Sequence, residues 1–456
     1  MSAPQRALGL VILCWFGCVS SAPRANRTDP LLDDTFASVR SRSTFETETP
    51  LPDLTGPIDR ETVIAGAIAR SPSIDALAHR ARSMVYAARA EGSLPSPELG
   101  VEAWNLPLAR PYAVGEANMY MVELRQRFPA PGLLDARARA TVGEADAVAA
   151  ELASEERQIA QRAADAFADY VRGVRDHALH RDHLGLLEQM QGAVRARFTT
   201  GRAALTDAAR IDLEIAKARR AMARVEADKI RARATINALL RRPEDAALGP
   251  PRDVAAMTVR VSIDDLIARA RQHRGMLLAA RARGGAAQAR RDAAEAEARW
   301  PEFMVGLGYW QDPAMRPGYG ATLAMSLPWL WGGQRHRVDE MREGEAAARA
   351  AVAGAWVEAT NDIAEAHARM VAAERELKIL RTQALPVAHG AIDAVRSVYA
   401  TGNASLLDWI DTARSYLDLE MEETDVAAEL ARAVASLERS VGVALPLVAI
   451  SPKDSP

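Results

Sequence analysis

The sequence predicts a mainly α-helical chain with a small β part. It is built as a duplication of two long α-helical hairpins, each preceded by a β-hairpin. Three observations predict this. RFTTGRAALTD (197–207) and VYATGNASLLD (398–408) are two versions of one aromatic-x-T-G-x-x-x-L-x-D phrase, each followed by a long Ala-rich segment, the mark of an internal repeat. Ala, Arg and Glu dominate the composition while aromatic residues make up only 5%, which suits long helices better than a thick globular core. Short runs of alternating apolar and polar residues recur in each half, at the period of a strand rather than a helix.

Taken in order, the chain opens with Arg6 and the apolar run LGLVILCWF (8–16), followed by small residues. This is a secretory h-region, too short to span a bilayer. Two cleavage readings compete. Cleavage after Ala22 would leave Pro23 at the new N-terminus. In the other reading WFGC is a lipobox, residues 1–18 are a lipoprotein-type signal peptide, and Cys18 becomes the lipidated first residue; Gly17 fits, although Trp15 stands where Leu is usual. Cys18 as a plain apolar member of the h-region is the alternative. Cys14 and Cys18 are the only cysteines, so the mature body has neither disulfides nor a Cys-based metal site. Residues 19–58, rich in Thr, Ser, Pro, Asp and Arg, read as an extended arm.

The first repeat covers 59–250, the second 251–445, and 446–456 form a C-terminal tail. Helical segments open both repeats, at 61–92 and 264–296. Each ends at a proline motif, SPELGVEAW (96–104) and WPEFMVGLGYW (300–310), and the return runs are MYMVELRQRFPAPG (119–132) and YGATLAMSLPWLWGG (319–333). Leu99, Val101 and Ala103 face one way in the first run and Phe303, Val305, Leu307 and Tyr309 in the second. Tyr120, Val122 and Leu124 do so in the first return run. At about 8–10 residues these runs match a tilted membrane strand. A soluble β-hairpin with one face on a core would show the same alternation.

Helix is predicted from Leu133 to about Arg197 and from Thr206 to Arg241, where Pro243 stops it. Ile211, Ile215, Ala218, Met222, Val225, Lys229, Ala232, Ile236 and Leu239 step by 4 and 3 alternately, a heptad seam interrupted at Lys229. This second rod would be roughly 50 Å long. Gly201 and Gly402 fall at the hairpin turns, where a left-handed residue is needed. Four strands cannot close a barrel, and bare strand edges in lipid cost several kcal/mol per unpaired group. Closure therefore demands oligomerisation; three copies give twelve strands.

At this point the residues resemble the TolC-type outer-membrane efflux proteins of Gram-negative bacteria. The resemblance covers both repeats. It rests on LRQRFPAPGLLDARARA (124–140) with its partner LAMSLPWLWGGQRHRV (323–338), the paired T-G phrases, the order of elements repeated twice, and the lipobox. The PAPG turn and Asn105–Pro107 look most like the heavy-metal branch, the CusC/CzcC type. The resemblance implies a homotrimer whose 12-stranded β-barrel sits in outer-membrane lipid and continues as a periplasmic α-barrel. Such a channel passively conducts small molecules or metal cations, delivered by an inner-membrane pump of the RND type through a periplasmic adaptor, and has no catalysis or cofactor of its own. A periplasmic coiled-coil adaptor or scaffold is the alternative, although adaptors usually carry one helical hairpin, not two.

By the same resemblance, Asp408 and Asp411 supply inward-facing acidic rings at the closed periplasmic aperture, which would favour cations. Asp408 as the cap of its helix is the competing reading. Tyr399 and Asp207 are the tip residues that link neighbouring hairpins, and Arg202 stands in for the basic residue that Ala404 replaces. The turns at Gly201 and Gly402 are where an adaptor docks. His177, His180 and His183 form H-x-x-H-x-x-H, spread over about 120° of one helix, so neighbouring pairs are weak metal candidates and a solvated surface is the plainer account. Trp329 and Trp331 read as interface anchors or as packing under the barrel. Net charge of -3 leaves no footprint for nucleic acid, and no catalytic or phosphate-binding motif is present.

Overall fold

Prolines and glycines punctuate the chain at equivalent places in both repeats. The computed structural model describes residues 53–450 apart from 107–108, 111, 113–116, 201–202, 253–254, 313–315 and 402. Cys18, Gly201, Arg202 and Gly402 therefore lie outside the described residues, as do the signal peptide and most of the arm.

The elements are α1 (Arg60–Ala69), α2 (Pro72–Glu91), β1 (Glu98–Trp104), β2 (Met119–Phe128), α3 (Leu133–Thr199), α4 (Leu205–Leu239), β3 (Met257–Val259), α5 (Ile263–His273), α6 (Gly275–Arg299), β4 (Phe303–Gln311), β5 (Gly318–Met325), α7 (Gly333–Ile379), a π-turn (Leu380–Ala384), α8 (Leu385–Thr401), α9 (Leu406–Val441) and β6 (Leu447–Ala449). They divide into two compact units, one holding Val85–Val142 and Gln288–Arg342, the other Gly143–Ala287 with residues 53–84 and 343–450. Each repeat contributes to both.

The first unit holds a four-stranded antiparallel sheet in the order β1-β2-β4-β5. The two β-hairpins are joined by the β2–β4 ladder, from Tyr120↔Gln311 to Phe128↔Phe303. The return strands end earlier than the sequence runs suggest, at Phe128 and Met325. Pro129, Pro131 and Pro328 follow, and a proline cannot donate to a ladder. Gly132 (φ 80°) and Gly332 (φ 71°) then take the left-handed conformation that turns each strand into its long helix.

In the second unit the opening segments are each broken once. Pro72 starts a new helix at the first-turn position that tolerates a missing N–H, and disfavours helix at Ser71 before it. In the second repeat the break is at Arg274, whose buried guanidinium binds the Ser440 carbonyl (3.1 Å) and Asp362 (2.7 Å). Gly275 then lets α6 cross α3: a β-carbon there would stand 2.8 Å from the Ser154 nitrogen. Further along the same helix pair, one on Gly143 would stand 2.9 Å from Ala286 Cβ.

The α4 seam is observed. Ile211, Ile215, Ala218, Val225, Ala232 and Ile236 are buried, and Met222, Lys229 and Leu239 are half-buried. Lys229 fits because Gly173 faces it, with backbone 3.2 Å from a would-be β-carbon, and its ammonium reaches Glu226 at 2.8 Å. Two equivalent cores follow, one around Leu152, Phe167 and Ile236, the other around Ile363, Met370 and Leu437. Each fully buried aliphatic side chain contributes about 1.5–3 kcal/mol. The π-turn precedes Pro386, which lacks the N–H an unbroken α-helix needs; the Leu385 N–H reaches the Leu380 carbonyl instead of the residue four back.

Two boundaries are corrected. The tail assigned to 446–456 begins inside the fold, since β6 pairs antiparallel with β3 through Val259↔Leu447, Thr258↔Val448 and Met257↔Ala449. The arm assigned to 19–58 also ends inside it. Leu54 and Ile58 are buried in the first core, and Ile58 bridges Pro251. In a polar stretch these two apolar side chains decide where the chain docks.

Candidate functional site

The sheet presents two faces of opposite chemistry. On one lie Leu99, Val101, Val122, Leu124, Val305, Leu307, Tyr319, Leu323 and Met325, all aligned by the register and well exposed; Leu323 is 74% exposed. On the other lie Glu98, Glu102, Glu123, Arg125 and Arg127 from β1 and β2, beside Gly306, Gly308, Gly318, Gly320 and Thr322 from β4 and β5. Arg125 is 2.6 Å from Glu123 and 3.3 Å from Glu102, and Arg127 is 3.2 Å from Glu302. A soluble sheet hides its apolar side; this one displays it and folds its charges together on the reverse. Neither β1 nor β5 has a partner on its outer edge among the described residues. They run in opposite directions, so the edge of one copy can pair antiparallel with the other edge of the next. Trp329 and Trp331 are also exposed, Trp331 at 92%. Packing inside the chain is therefore not their role.

The tips of the helical hairpins form a second site. Leu187, Met190, Val194, Ile211, Ile215, Leu406 and Ile410 bury around Tyr399 and Trp409. Tyr399 packs against Trp409 with ring centroids 4.9 Å apart, and the Arg197 guanidinium lies 4.8 Å over its ring. Arg197 also donates to the Tyr399 carbonyl at 3.0 Å. Burial raises the Tyr399 phenol pKa; Arg197 opposes this and the charge of Asp207 adds to it. Of this clamp, sequence reasoning named Tyr399 and missed Arg197 and Trp409, although Arg197 opens one T-G phrase and Trp409 follows the other.

The closing L-x-D of the phrase is a helix cap in both repeats. Asp408 accepts from the Ser405 amide (3.1 Å) and hydroxyl (2.7 Å), while its own amide donates back to that hydroxyl (3.1 Å). These bonds hold its carboxyl below the usual range. Asp207 accepts from the Ala204 amide at 3.4 Å, without a hydroxyl to complete the box. Asp411 lies one turn on, 3.5 Å from Arg414. Arg414 also binds buried Glu214, tying α9 to α4.

The three histidines do not converge. His177 reaches Glu226 at 3.1 Å; His180 is buried beside Asp176 with Nδ1 unpartnered; His183 is half-buried near Glu214, Arg414 and Asp418. Burial lowers the pKa of His180 and of His183. Among the described residues no group of three or more His, Cys, Asp or Glu is placed to hold a metal ion. A three-residue step turns 60° around a helix, so each ring meets a different neighbour. No such group of three therefore forms around any pair of His177, His180 and His183 among the described residues.

Residues 266–443 match the family described as outer membrane efflux protein. No curated protein sequence matches the chain. Among solved structures, CusC superposes with a TM-score of 0.74 at 15% identity, over 88% of this chain and 96% of that one. VceC of Vibrio cholerae gives 0.71 at 18% identity, over 84% and 96%. The open state of the MtrE outer membrane channel of Neisseria gonorrhoeae gives 0.68 at 18% identity, over 88% and 95%. The second repeat thus matches the outer membrane efflux protein family, and the fold carried by both repeats together is the one seen in these TolC-type outer-membrane channels.

Proposed function

We propose that the protein is the outer-membrane channel of a tripartite efflux system, a passive conduit for small molecules or metal cations. The observation that carries this is the inverted sheet: an apolar face displayed, a charged face turned away from it, and two edges without partners. Three copies closing edge to edge give a twelve-stranded barrel in which lipid covers the leucines and water covers the charges. The long helices then serve as a periplasmic α-barrel. An inner-membrane pump of the RND type, joined through a periplasmic adaptor docking at the Gly201 and Gly402 turns, is the proposed source of solute. An adaptor or scaffold would have no use for the displayed apolar face, and that face disfavours the alternative.

At the tips, Asp411 and the capped Asp408 are proposed to line the aperture. Three copies of each would place acidic rings on the conduction path, with Tyr399, Asp207 and Arg202 holding the hairpins shut. The test is conductance of the purified protein in planar bilayers. We expect discrete cation-preferring channels whose preference falls when Asp408 and Asp411 are both changed to Ala. A protein that stays water-soluble and leaves the bilayer silent overturns the reading.

A further inference from the structure

The polar face of the sheet is not evenly covered. Its β1 and β2 half is crowded with charge, whereas its β4 and β5 half is a floor of glycine. Trp310 lies flat across this floor: a β-carbon on Gly318 would stand 2.7 Å from indole Cζ2, and one on Gly320 would stand 2.5 Å from Cζ3. Gly308, opposite Gly320 and two residues from Trp310, has no contact tighter than 3.7 Å: the Glu123 Cβ and Cγ and the Val122 carbonyl oxygen each stand at that distance from a would-be β-carbon. A half-exposed indole and a glutamate therefore stand either side of bare backbone.

Glu123 is unusual in itself. It is only 5% exposed, and its Oε2 is held by Arg125 through Nε (2.8 Å) and a terminal nitrogen (2.6 Å). Its Oε1 lies over Gly306 beside the Thr322 side chain, a contact that falls outside ordinary hydrogen-bond geometry. A covered carboxylate oxygen with so poor a partner carries a cost, and a cation brought near it is favoured. Arg125 is shared with Glu102. Among the described strand residues of this face and Glu302 beside them, Glu98, Glu102, Glu123 and Glu302 outnumber Arg125 and Arg127 by two, an excess of two negatives per chain.

We propose that the niche over Gly308, between Trp310 and Glu123, is a weak relay station for organic cations, which would rest an apolar or aromatic part on the indole and their charge beside the carboxylate. Cation–π attraction to an indole and charge attraction to glutamate act together there. The glycine floor keeps the space open. This rests on the channel reading, because the face must border the conduction path for a solute to reach it, and it narrows that reading to protonated amines.

The test is block of single-channel current in planar bilayers by benzylammonium, with neutral benzyl alcohol as control. Benzylammonium should block the wild-type trimer and benzyl alcohol should not. Glu123→Gln and Trp310→Leu should each raise the half-blocking concentration about fivefold. Gly308→Ala adds one methyl at ordinary contact distance, so the sheet tolerates it, and it should weaken block by filling the niche. Equal block in the wild type and all three variants overturns the station while leaving the channel standing. A wild type that conducts but is not blocked does the same. A wild type with no conductance removes the channel reading and the station with it.

Discussion

The sheet unit and the helical unit follow opposite rules with the same residue types. In the helical unit Leu152, Ile236, Ile363 and Met370 are buried and arginines cover the surface; in the sheet unit Leu99, Leu307 and Leu323 are exposed and the arginines are gathered on the other face. One rule cannot serve both in one solvent. The difference indicates that the helical unit is built for water and the outer face of the sheet for hydrocarbon.

The largest expected effect breaks this comparison at its sharpest point. Leu307→Arg places charge on the displayed face, at about 2–4 kcal/mol per copy near the bilayer midplane. On the channel reading, outer-membrane yield of the proposed trimer should drop more than tenfold, whereas Thr322→Arg on the opposite face should leave it within about twofold. Equal losses would mean that the two faces meet the same environment.

Next in size is a pair that removes the same kind of side chain from each unit. Ile236→Ala should lower stability by about 2–5 kcal/mol, since the side chain is fully enclosed. Leu323→Ala should cost less than about 1 kcal/mol in detergent, where micelle replaces lipid. Thermal unfolding of the solubilised protein compares them.

Within the helical unit, Asp165 on α3 gives a pH signature. Burial pushes its pKa up to about 6, against the pull of Arg432 and with help from Asp169. Its folded pKa lies above the unfolded value of about 3.9. The folded state therefore holds the proton more tightly, and the contribution of Asp165 to stability falls as pH rises through about 6. Asp165→Asn should flatten the melting temperature between about pH 4 and 6.5, the interval bounded by the two pKa values; an unchanged slope would assign it to other groups.

The smallest effect compares the two tips. Ser405→Ala should cost about 1 kcal/mol of local stability at the start of α9, and Ala204→Ser should recover a similar amount at α4 by completing its capping box. Hydrogen exchange of the first turn of each helix reads both; no change in either would separate the repeated L-x-D from capping.

Much of this was legible in the sequence. The duplicated phrase gave the hairpins, alternation gave three strands and the repeat gave the fourth, whose end was overshot, and the α4 seam gave its buried face. What stayed hidden depended on long-range contact. The docking of Leu54, Ile58 and β6 involves too few residues to show a period. The break at Arg274 interrupts a helix whose composition runs straight through it, whereas the one at Ser71 was signalled by Pro72. Arg197 and Trp409 belong to different repeats and meet at Tyr399 only in three dimensions. Asp408 was legible in two ways, and its cap is what the geometry displays.

The central claim is that the outer edges of β1 and β5 pair between copies. The direct measurement is disulfide trapping in outer-membrane fractions, with cysteines scanned over Leu99, Val101 and Ala103 on β1 against Ala321 on β5, all on the displayed face. The account predicts that one register yields a covalent ladder ending at three chains. A protein whose paired cysteines never bridge copies, and which sediments as a single chain, would contradict it.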